Sequence, residues 1–175
     1  MFKVVDILLL QTVSIVVASA GVFVAAIYYV LQIRHQSRMR QTEIETRQAD
    51  LLMRMHLAFS SKEYSEAALK ILSTDYKDYD DFLKKYGHPF AAGQVQTEFL
   101  MMGMFFEGIG VLTKRKLANI ALVNDLFAVE WFWEKVKPLA EGLRKQLNNP
   151  HVYEWFEYLA NEEKKHHQQL ASKAA

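Results

Sequence analysis

The chain has 175 residues, with 21 basic and 20 acidic side chains and a formal net charge of +1. This balance excludes the basic surplus typical of nucleic-acid-binding proteins, so we predict no nucleic-acid partner. The absence of cysteine excludes disulfides, thiolate metal sites and cysteine nucleophiles. Seven Gly and three Pro favour long helices over a sheet with many turns.

Residues 7–33 form a long apolar stretch near the amino terminus. No charged residue lies between Asp6 and Arg34, a run of 27 positions that holds 15 Leu, Ile, Val and Phe residues. As a helix the run would reach roughly 40 Å, against roughly 30 Å for the hydrocarbon core of a bilayer. The apolar residues favour insertion and no charge opposes them. We therefore predict one membrane-spanning helix within residues 1–33.

A cleavable signal peptide and a buried core helix are two other interpretations of this stretch. Residues 18–20, Ala-Ser-Ala, have the form of a signal-peptide cleavage site. The region before them is barely basic, however, and the apolar run continues past them to Leu31. A buried core helix is the second alternative, and it needs a domain that can surround all 27 positions. The remaining chain is too short and too polar for that.

The charges that flank the stretch predict its orientation. Arg34, Arg38, Arg40 and Arg47 follow it, whereas Lys3 is the basic side chain that precedes it. Positive residues near a span stay cytoplasmic, so we expect a single-pass protein of the plasma membrane with its amino terminus outside. We expect Arg34, Arg38 and Arg40 to contact anionic lipid headgroups.

Small and amide or hydroxyl residues form a stripe along the predicted span. The stripe residues follow one another at alternating spacings of three and four, which places them on one face of a helix. They are Gln11, Ser14, Ala18, Gly21, Ala25, Tyr28 and Gln32. Small side chains allow close helix approach in lipid, so the stripe predicts an interface with a second copy or another membrane protein. Small residues are also common in spans that have no such interface.

The sequence after the span predicts an all-α protein. Residues 34–50 are polar on all sides and contain good helix formers, so we expect the spanning helix to continue as a stalk. Residues 51–165 predict a compact bundle of about five helices, and residues 166–175 a polar tail. Helix start signals stand at Ser60 with Glu63, at Asp78, at Asn119 and at Asn148-Asn149-Pro150.

Three further features of the bundle are predicted. Residues 99–112 carry one charge and are too few to cross a bilayer, so they should form the central buried helix. We expect Pro138 to kink or restart the helix that Asn119 begins. We expect the last helix to fray from Asn161 onward, where the sequence becomes polar.

Two patterns suggest metal sites, and neither is complete. The four Asp residues within 75–81 lack the alternate spacing, the Gly and the distal Glu of a calcium loop. Glu163 and His166 have the spacing of a di-iron bundle ligand pair, but this pattern lacks the second pair and the further carboxylates. We predict no metal and no cofactor.

Glu107 is the candidate site residue of the bundle. It is the one charge within the apolar run 99–112, and a buried carboxylate must be paired, hydrogen-bonded or protonated. It either lies in a cavity with a raised pKa, or bonds a backbone donor or a basic partner such as Arg54 or Arg144. Structural partners of this kind are the more common case.

The chain resembles a widespread family of uncharacterised prokaryotic membrane proteins. The resemblance rests on the layout of one span and a helical cytoplasmic region, and on one sequence run that leads into the helix with Trp131, Trp133 and Pro138. That run is Glu107-Gly108-Ile109-Gly110-Val111-Leu112. The resemblance implies topology and carries no activity.

Two functions follow as hypotheses. The first is a membrane-anchored interaction or assembly module, or an accessory subunit, that forms a homo-oligomer or binds another membrane protein. The alternative is a membrane-tethered enzyme or ligand sensor with a pocket around Glu107 and the Trp131/Trp133 helix. The stripe and the lack of a complete catalytic constellation favour the first.

Overall fold

A computed structural model describes the backbone of residues 2–174 and the side chains of residues 14–93 and 95–173. This described part is all-helical and contains no strand. The seven helices are α1 (Phe2–Phe59), α2 (Lys62–Ser73), α3 (Tyr79–Tyr86), α4 (Gln94–Lys114), α5 (Ile120–Leu126), α6 (Val129–Leu147) and α7 (Glu154–Ala174). The predicted fold class, a long apolar amino-terminal helix followed by a helical bundle, is confirmed.

The chain divides into two compact units, Met1–Thr46 and Arg47–Ala175. The boundary falls within α1, in the region predicted as a stalk. The first unit is helical throughout its described residues, and its large apolar side chains from residue 15 onward are exposed. The predicted limits of span, stalk, bundle and tail stay predictions.

The core of the Arg47–Ala175 unit is built around α4. Phe99, Met102, Phe106 and Ile109 are spaced by three and four residues and are almost completely buried. The Phe106 ring stacks on Phe156 of α7 with 4.8 Å between ring centroids. Burying one such side chain stabilises the fold by about 1.5–3 kcal/mol, so this stripe makes α4 the central helix, as predicted.

Two helices are long and apolar enough to cross a membrane by length and composition alone. One is the Ser14–Phe59 part of α1 and the other is Val95–Lys114 of α4. The apolar residues 15–33 of the α1 segment are exposed, whereas α4 supplies core residues to the bundle. Core packing therefore explains the apolar character of α4, and leaves that of α1 to be explained.

Local capping accounts for three helix starts. The Asp78 side chain accepts the backbone N–H of Asp81 at the start of α3, and Asn119 accepts that of Ala121 in α5. Both helix starts confirm the sequence signals. The cap of α2 is Ser61 rather than the predicted Ser60, because the Ser60 N–H closes the last turn of α1.

The predicted helix from Asn119 to about residue 147 is in fact two helices. It is interrupted at residues 127–128, and α6 then runs without a break through Pro138. The restart predicted at Pro138 is therefore wrong, and the kink stays a prediction. Pro138 leaves the carbonyl of Glu134 without its helical donor, and Glu134 is exposed, so water can solvate that carbonyl.

The last turn and the last helix also differ from prediction. Residues 148–150 were predicted to start the last helix. Asn148 instead adopts the left-handed conformation (φ 48°) and ends α6. Helix α7 begins at Glu154, four residues after Pro150, and it continues to Ala174 without the fraying expected from Asn161.

Candidate functional site

The predicted interface stripe lies on the exposed surface of α1. Ser14, Ala18, Gly21, Ala25, Tyr28 and Gln32 are all exposed, and the side chain of Gln11 lies outside the described residues. A Cβ atom added at Gly21 would meet nothing within 4 Å. Arg34, Arg38 and Arg40 are also exposed. The roles of the stripe and of these arginines stay predictions.

Glu107 of α4 binds the start of α7. Its side chain is half-buried, and its Oε2 atom accepts the backbone N–H of Phe156 at 2.9 Å. The N–H of Trp155 also bonds this carboxylate. Amides in the first turn of a helix have no partner within that helix, so a carboxylate there supplies a cap and complements the helix dipole. Glu107 thus caps α7 from another helix.

Glycines on the same side of α4 allow this approach. A Cβ atom at Gly110 would lie 2.1 Å from the backbone carbonyl oxygen of Trp155, and one at Gly103 would lie 2.4 Å from the ring of Tyr153. A side chain at residue 110 would push the start of α7 away, and one at residue 103 would displace the ring of Tyr153. The missing Cβ atom at Gly110 therefore lets the α7 backbone come close enough for Glu107 to accept its amides.

Arg144 of α6 fixes the same end of α7. Its Nε donates to the carbonyl of Val152 at 2.9 Å, and its guanidinium lies 2.7 Å from the Glu157 carboxylate. Of the two basic partners considered for Glu107, Arg54 instead pairs with Asp50 on α1, and Arg144 interacts with Glu107 through its charge. The direct hydrogen-bond partner of Glu107 is a backbone donor.

Burial raises the pKa values of two groups at this site, Glu107 and Tyr153. It raises the pKa of Glu107 above its ordinary value, and the two backbone hydrogen bonds oppose that rise. Burial, with the nearby charge of Glu107, raises the pKa of Tyr153 to about 12. Tyr153 is therefore protonated at neutral pH and does not act as a base, whereas Glu107 acts as an acceptor for amide donors.

Glu163 of α7 forms a second cap of the same kind. Its side chain is 2% exposed, and its Oε2 accepts the N–H of Glu130 at 2.5 Å. The N–H of Val129 also bonds it. Both amides belong to the first turn of α6, where the N-cap residue Ala128 supplies no side-chain acceptor. Burial raises the pKa of Glu163, against the effect of these two hydrogen bonds.

Sequence reasoning placed Glu163 at the end of the bundle, in a stretch expected to fray, and missed its role. The signal was its position: Phe156, Leu159, Ala160 and Glu163 share one buried face of α7. Within the described residues, no group of three or more His, Cys, Asp or Glu side chains is placed to hold a metal ion. The Glu163 carboxylate instead serves the α6 amides.

The two carboxylates connect three helices in series. Glu107 of α4 caps α7, and Glu163 of α7 caps α6. Each acts only as an acceptor, and each is aimed at backbone donors rather than at open space. This arrangement holds helix ends at fixed positions, and it does not present a nucleophile together with a base.

The tryptophan helix does not form one aromatic surface. Trp133 is 4% exposed and meets the Phe156 ring edge-on at 5.2 Å, whereas Trp131 is 72% exposed. Phe132 between them is buried. Trp131 and Trp133 therefore do not form one ligand-binding surface.

Three cavities of the Arg47–Ala175 unit have volumes of about 560, 340 and 90 Å³. The largest lies between the start of α3 and α6, around Tyr79 and Gly142. The second lies beside Thr113 and Tyr158, and the third beside Arg115 and Trp155. Glu107 and the two tryptophans of α6 line none of these three cavities.

Comparison with known proteins identifies a family. The model of the family described as "Domain of unknown function (DUF4760)" matches residues 15–163. No curated protein and no solved structure matches the chain. The resemblance to an uncharacterised family is confirmed at this level, and its prokaryotic and membrane features stay predictions. Because the match covers most of the 175 residues, the chain belongs to the DUF4760 family.

Proposed function

We propose that this protein is a membrane-anchored helical assembly module, in which the apolar stretch of α1, residues 7–33, spans the bilayer and the Arg47–Ala175 unit lies in the cytoplasm. The observation that carries the proposal is the exposure of the apolar part of α1. Val17, Phe23 and Tyr28 are 65%, 72% and 67% exposed, and the stretch contains no charge. Large apolar surfaces of this kind mark a membrane or a partner protein.

The flanking charges support the orientation of the anchor. Arg34, Arg38 and Arg40 are exposed at the end of the apolar stretch. In a bilayer they would lie among the headgroups of the cytoplasmic leaflet, which carry negative charge. Placement in the plasma membrane, with the amino terminus outside, is part of the proposal.

The stripe supports self-assembly as the use of the anchor. Gly21 and Ala25 are exposed and offer little side-chain volume, and the space around Gly21 is open. Helix association in lipid depends on close backbone approach, since the hydrophobic effect does not act between helices there. We propose that the stripe binds the same stripe of a second copy.

The enzyme or ligand-sensor alternative has less support from the geometry. Glu107 already binds the backbone amide of Phe156, and Trp133 is buried in the core. A catalytic carboxylate needs free access to a substrate proton. The contacts of Glu107 favour a structural role for it.

Chemical cross-linking of the full chain in mild detergent tests the assembly proposal. We expect a cross-linked dimer from the native sequence and its loss in Gly21→Leu and Ala25→Leu, because the larger side chains separate the helices. Val24→Leu is the matched control, since this exposed residue lies off the stripe. A strictly monomeric native protein, or a dimer indifferent to both stripe changes, would contradict the proposal.

A further inference from the structure

Residues 114–117 form an exposed basic turn between α4 and α5. Lys114, Arg115 and Lys116 are consecutive and exposed, and the next residue, Leu117, is 50% exposed. Three adjacent cations followed by an exposed apolar side chain combine two features that a lipid surface recognises: positive charge for headgroups and an apolar group for the interface.

The cations of the basic turn lack acidic partners. Among the described residues, no carboxylate forms an ion pair with Lys114, Arg115 or Lys116. Lys114 lies 4.8 Å from the ring centroid of Tyr158, which holds its ammonium without neutralising it. The positive charge of the turn is therefore available to an external anion.

The backbone of the basic turn is fixed rather than loose. Lys116 has a left-handed conformation (φ 59°), and the N–H groups of Leu117 and Ala118 both donate to the carbonyl of Leu112. Ala118 is buried, so it anchors the end of the turn in the core. A fixed backbone presents the cations without the loss of chain entropy that ordering a mobile loop would require.

A small cavity lies beside the same cations. It has a volume of about 90 Å³ and is lined by Val111, Lys114, Arg115 and Trp155. Guanidinium and ammonium groups are the usual partners of phosphate oxygens, and Trp is enriched at the headgroup level of membranes. The cavity is thus chemically suited to one phosphate of a lipid headgroup.

The basic turn is also tied to the point where the chain enters this unit. The side-chain amide of Gln48 donates to the carbonyl of Lys116 at 2.9 Å. Gln48 is the second residue of the Arg47–Ala175 unit, and the predicted polar stalk separates it from the proposed anchor, residues 7–33. The turn therefore lies at the end of the unit that the stalk enters.

We infer that the basic turn, residues 114–117, binds the anionic headgroups of the bilayer that holds the apolar stretch, residues 7–33. This inference depends on the proposed membrane anchor and adds a second contact between the protein and the lipid. Each cation near an anionic surface strengthens the attraction about fivefold, so three cations make binding strongly dependent on anionic lipid and on salt.

A unique fluorescent label tests the inference, because the chain has no cysteine. Leu117→Cys is labelled with an environment-sensitive dye, and the full chain is placed in nanodiscs of phosphatidylcholine alone or mixed with phosphatidylserine. We expect a blue shift of the emission and quenching by a bilayer-embedded quencher only with phosphatidylserine. High salt should abolish both effects.

Two controls separate the turn from general effects. Leu147→Cys places the same dye at a residue of similar exposure (47%) away from the turn, and it should show no dependence on lipid charge. The changes Lys114→Gln, Arg115→Gln and Lys116→Gln should abolish the shift at residue 117. Removing three cations elsewhere, at Lys62, Lys77 and Lys173, should not.

The outcomes distinguish this inference from the anchor proposal. A dye that stays in water with both lipids, while the chain stays in the nanodisc, would overturn the inference and leave the anchor intact. An equal shift with both lipids would also overturn it, since the charge would then have no role. Failure of the chain to enter nanodiscs would overturn the anchor and this inference together.

Discussion

Replacing Glu163 by Ala is expected to destabilise the Arg47–Ala175 unit by about 2–3 kcal/mol. The carboxylate is 2% exposed and accepts two backbone amides at the start of α6, where Ala128 offers no side-chain acceptor. A hydrogen bond to a charged group contributes about 1.5–3 kcal/mol, and loss of an N-cap costs about 1 kcal/mol. The relief of burying a charge offsets part of this loss.

Urea unfolding measured by tryptophan fluorescence provides the assay. All three tryptophans lie in the Arg47–Ala175 unit, so their emission reports on the bundle and not on the anchor. Glu162→Ala is the matched control: this neighbour pairs with Lys165 on the surface, and its loss should change stability by less than about 1 kcal/mol. If Glu163→Ala is no more destabilising than this control, the Glu163 carboxylate does not stabilise the start of α6.

The remaining predictions concern the packing of α4 and the pH dependence of the second cap. Gly110→Ala should destabilise the bundle by about 1–3 kcal/mol, because its Cβ would overlap the carbonyl of Trp155. A Cβ atom at Gly108 would meet nothing within 4 Å, so Gly108→Ala should be neutral or stabilise α4 by up to about 1 kcal/mol. Equal changes in the thermal stability of the two variants would contradict both predictions. The pKa of Glu163 is raised in the folded state, so protonated Glu163 stabilises the fold at pH values below its ordinary pKa of 4.5. This contribution to the free energy of unfolding is lost as the pH rises through the folded-state pKa. The native protein should therefore lose stability relative to Glu163→Gln as the pH rises from 4.5 through the folded-state pKa. A stability difference that stays constant over this pH range would contradict the raised pKa of Glu163.

Local chemistry made part of this fold predictable. Asp78 and Asn119 each cap the helix that follows within three residues, so the sequence pattern contains all the information that the contact needs. The central helix was predictable for a similar reason, since the apolar run 99–112 has no other place than the core of the bundle.

The caps that Glu107 and Glu163 supply from another helix were not predictable in the same way. A carboxylate within the apolar run of α4 indicates that Glu107 needs a partner, but its partner, the Phe156 amide, is 49 positions away in the sequence. Glu163 lies next to Lys164 and Lys165, and this polar surrounding hides the single buried face of α7 to which it belongs. Only the tertiary packing of α7 against α6 reveals its function.

The structural roles of Pro138 and Asn148 could not be predicted from the two residue types alone. The sequence pattern allowed a break at Pro138, but α6 continues because the carbonyl that loses its donor belongs to exposed Glu134. Asn148 was interpreted with Pro150 as a helix start, whereas its left-handed conformation ends α6. Both residues allow two structures, and the residue type alone does not decide between them.

Extraction of native membranes with alkaline carbonate tests the central proposal, that α1 spans a bilayer, most directly. The proposal predicts that the intact chain stays in the pelleted membranes and is released only by detergent, because the uncharged run of 27 positions is long enough to cross the hydrocarbon core. Release of the intact chain into the carbonate supernatant would contradict it, since that result shows a protein held at the membrane by surface contacts alone.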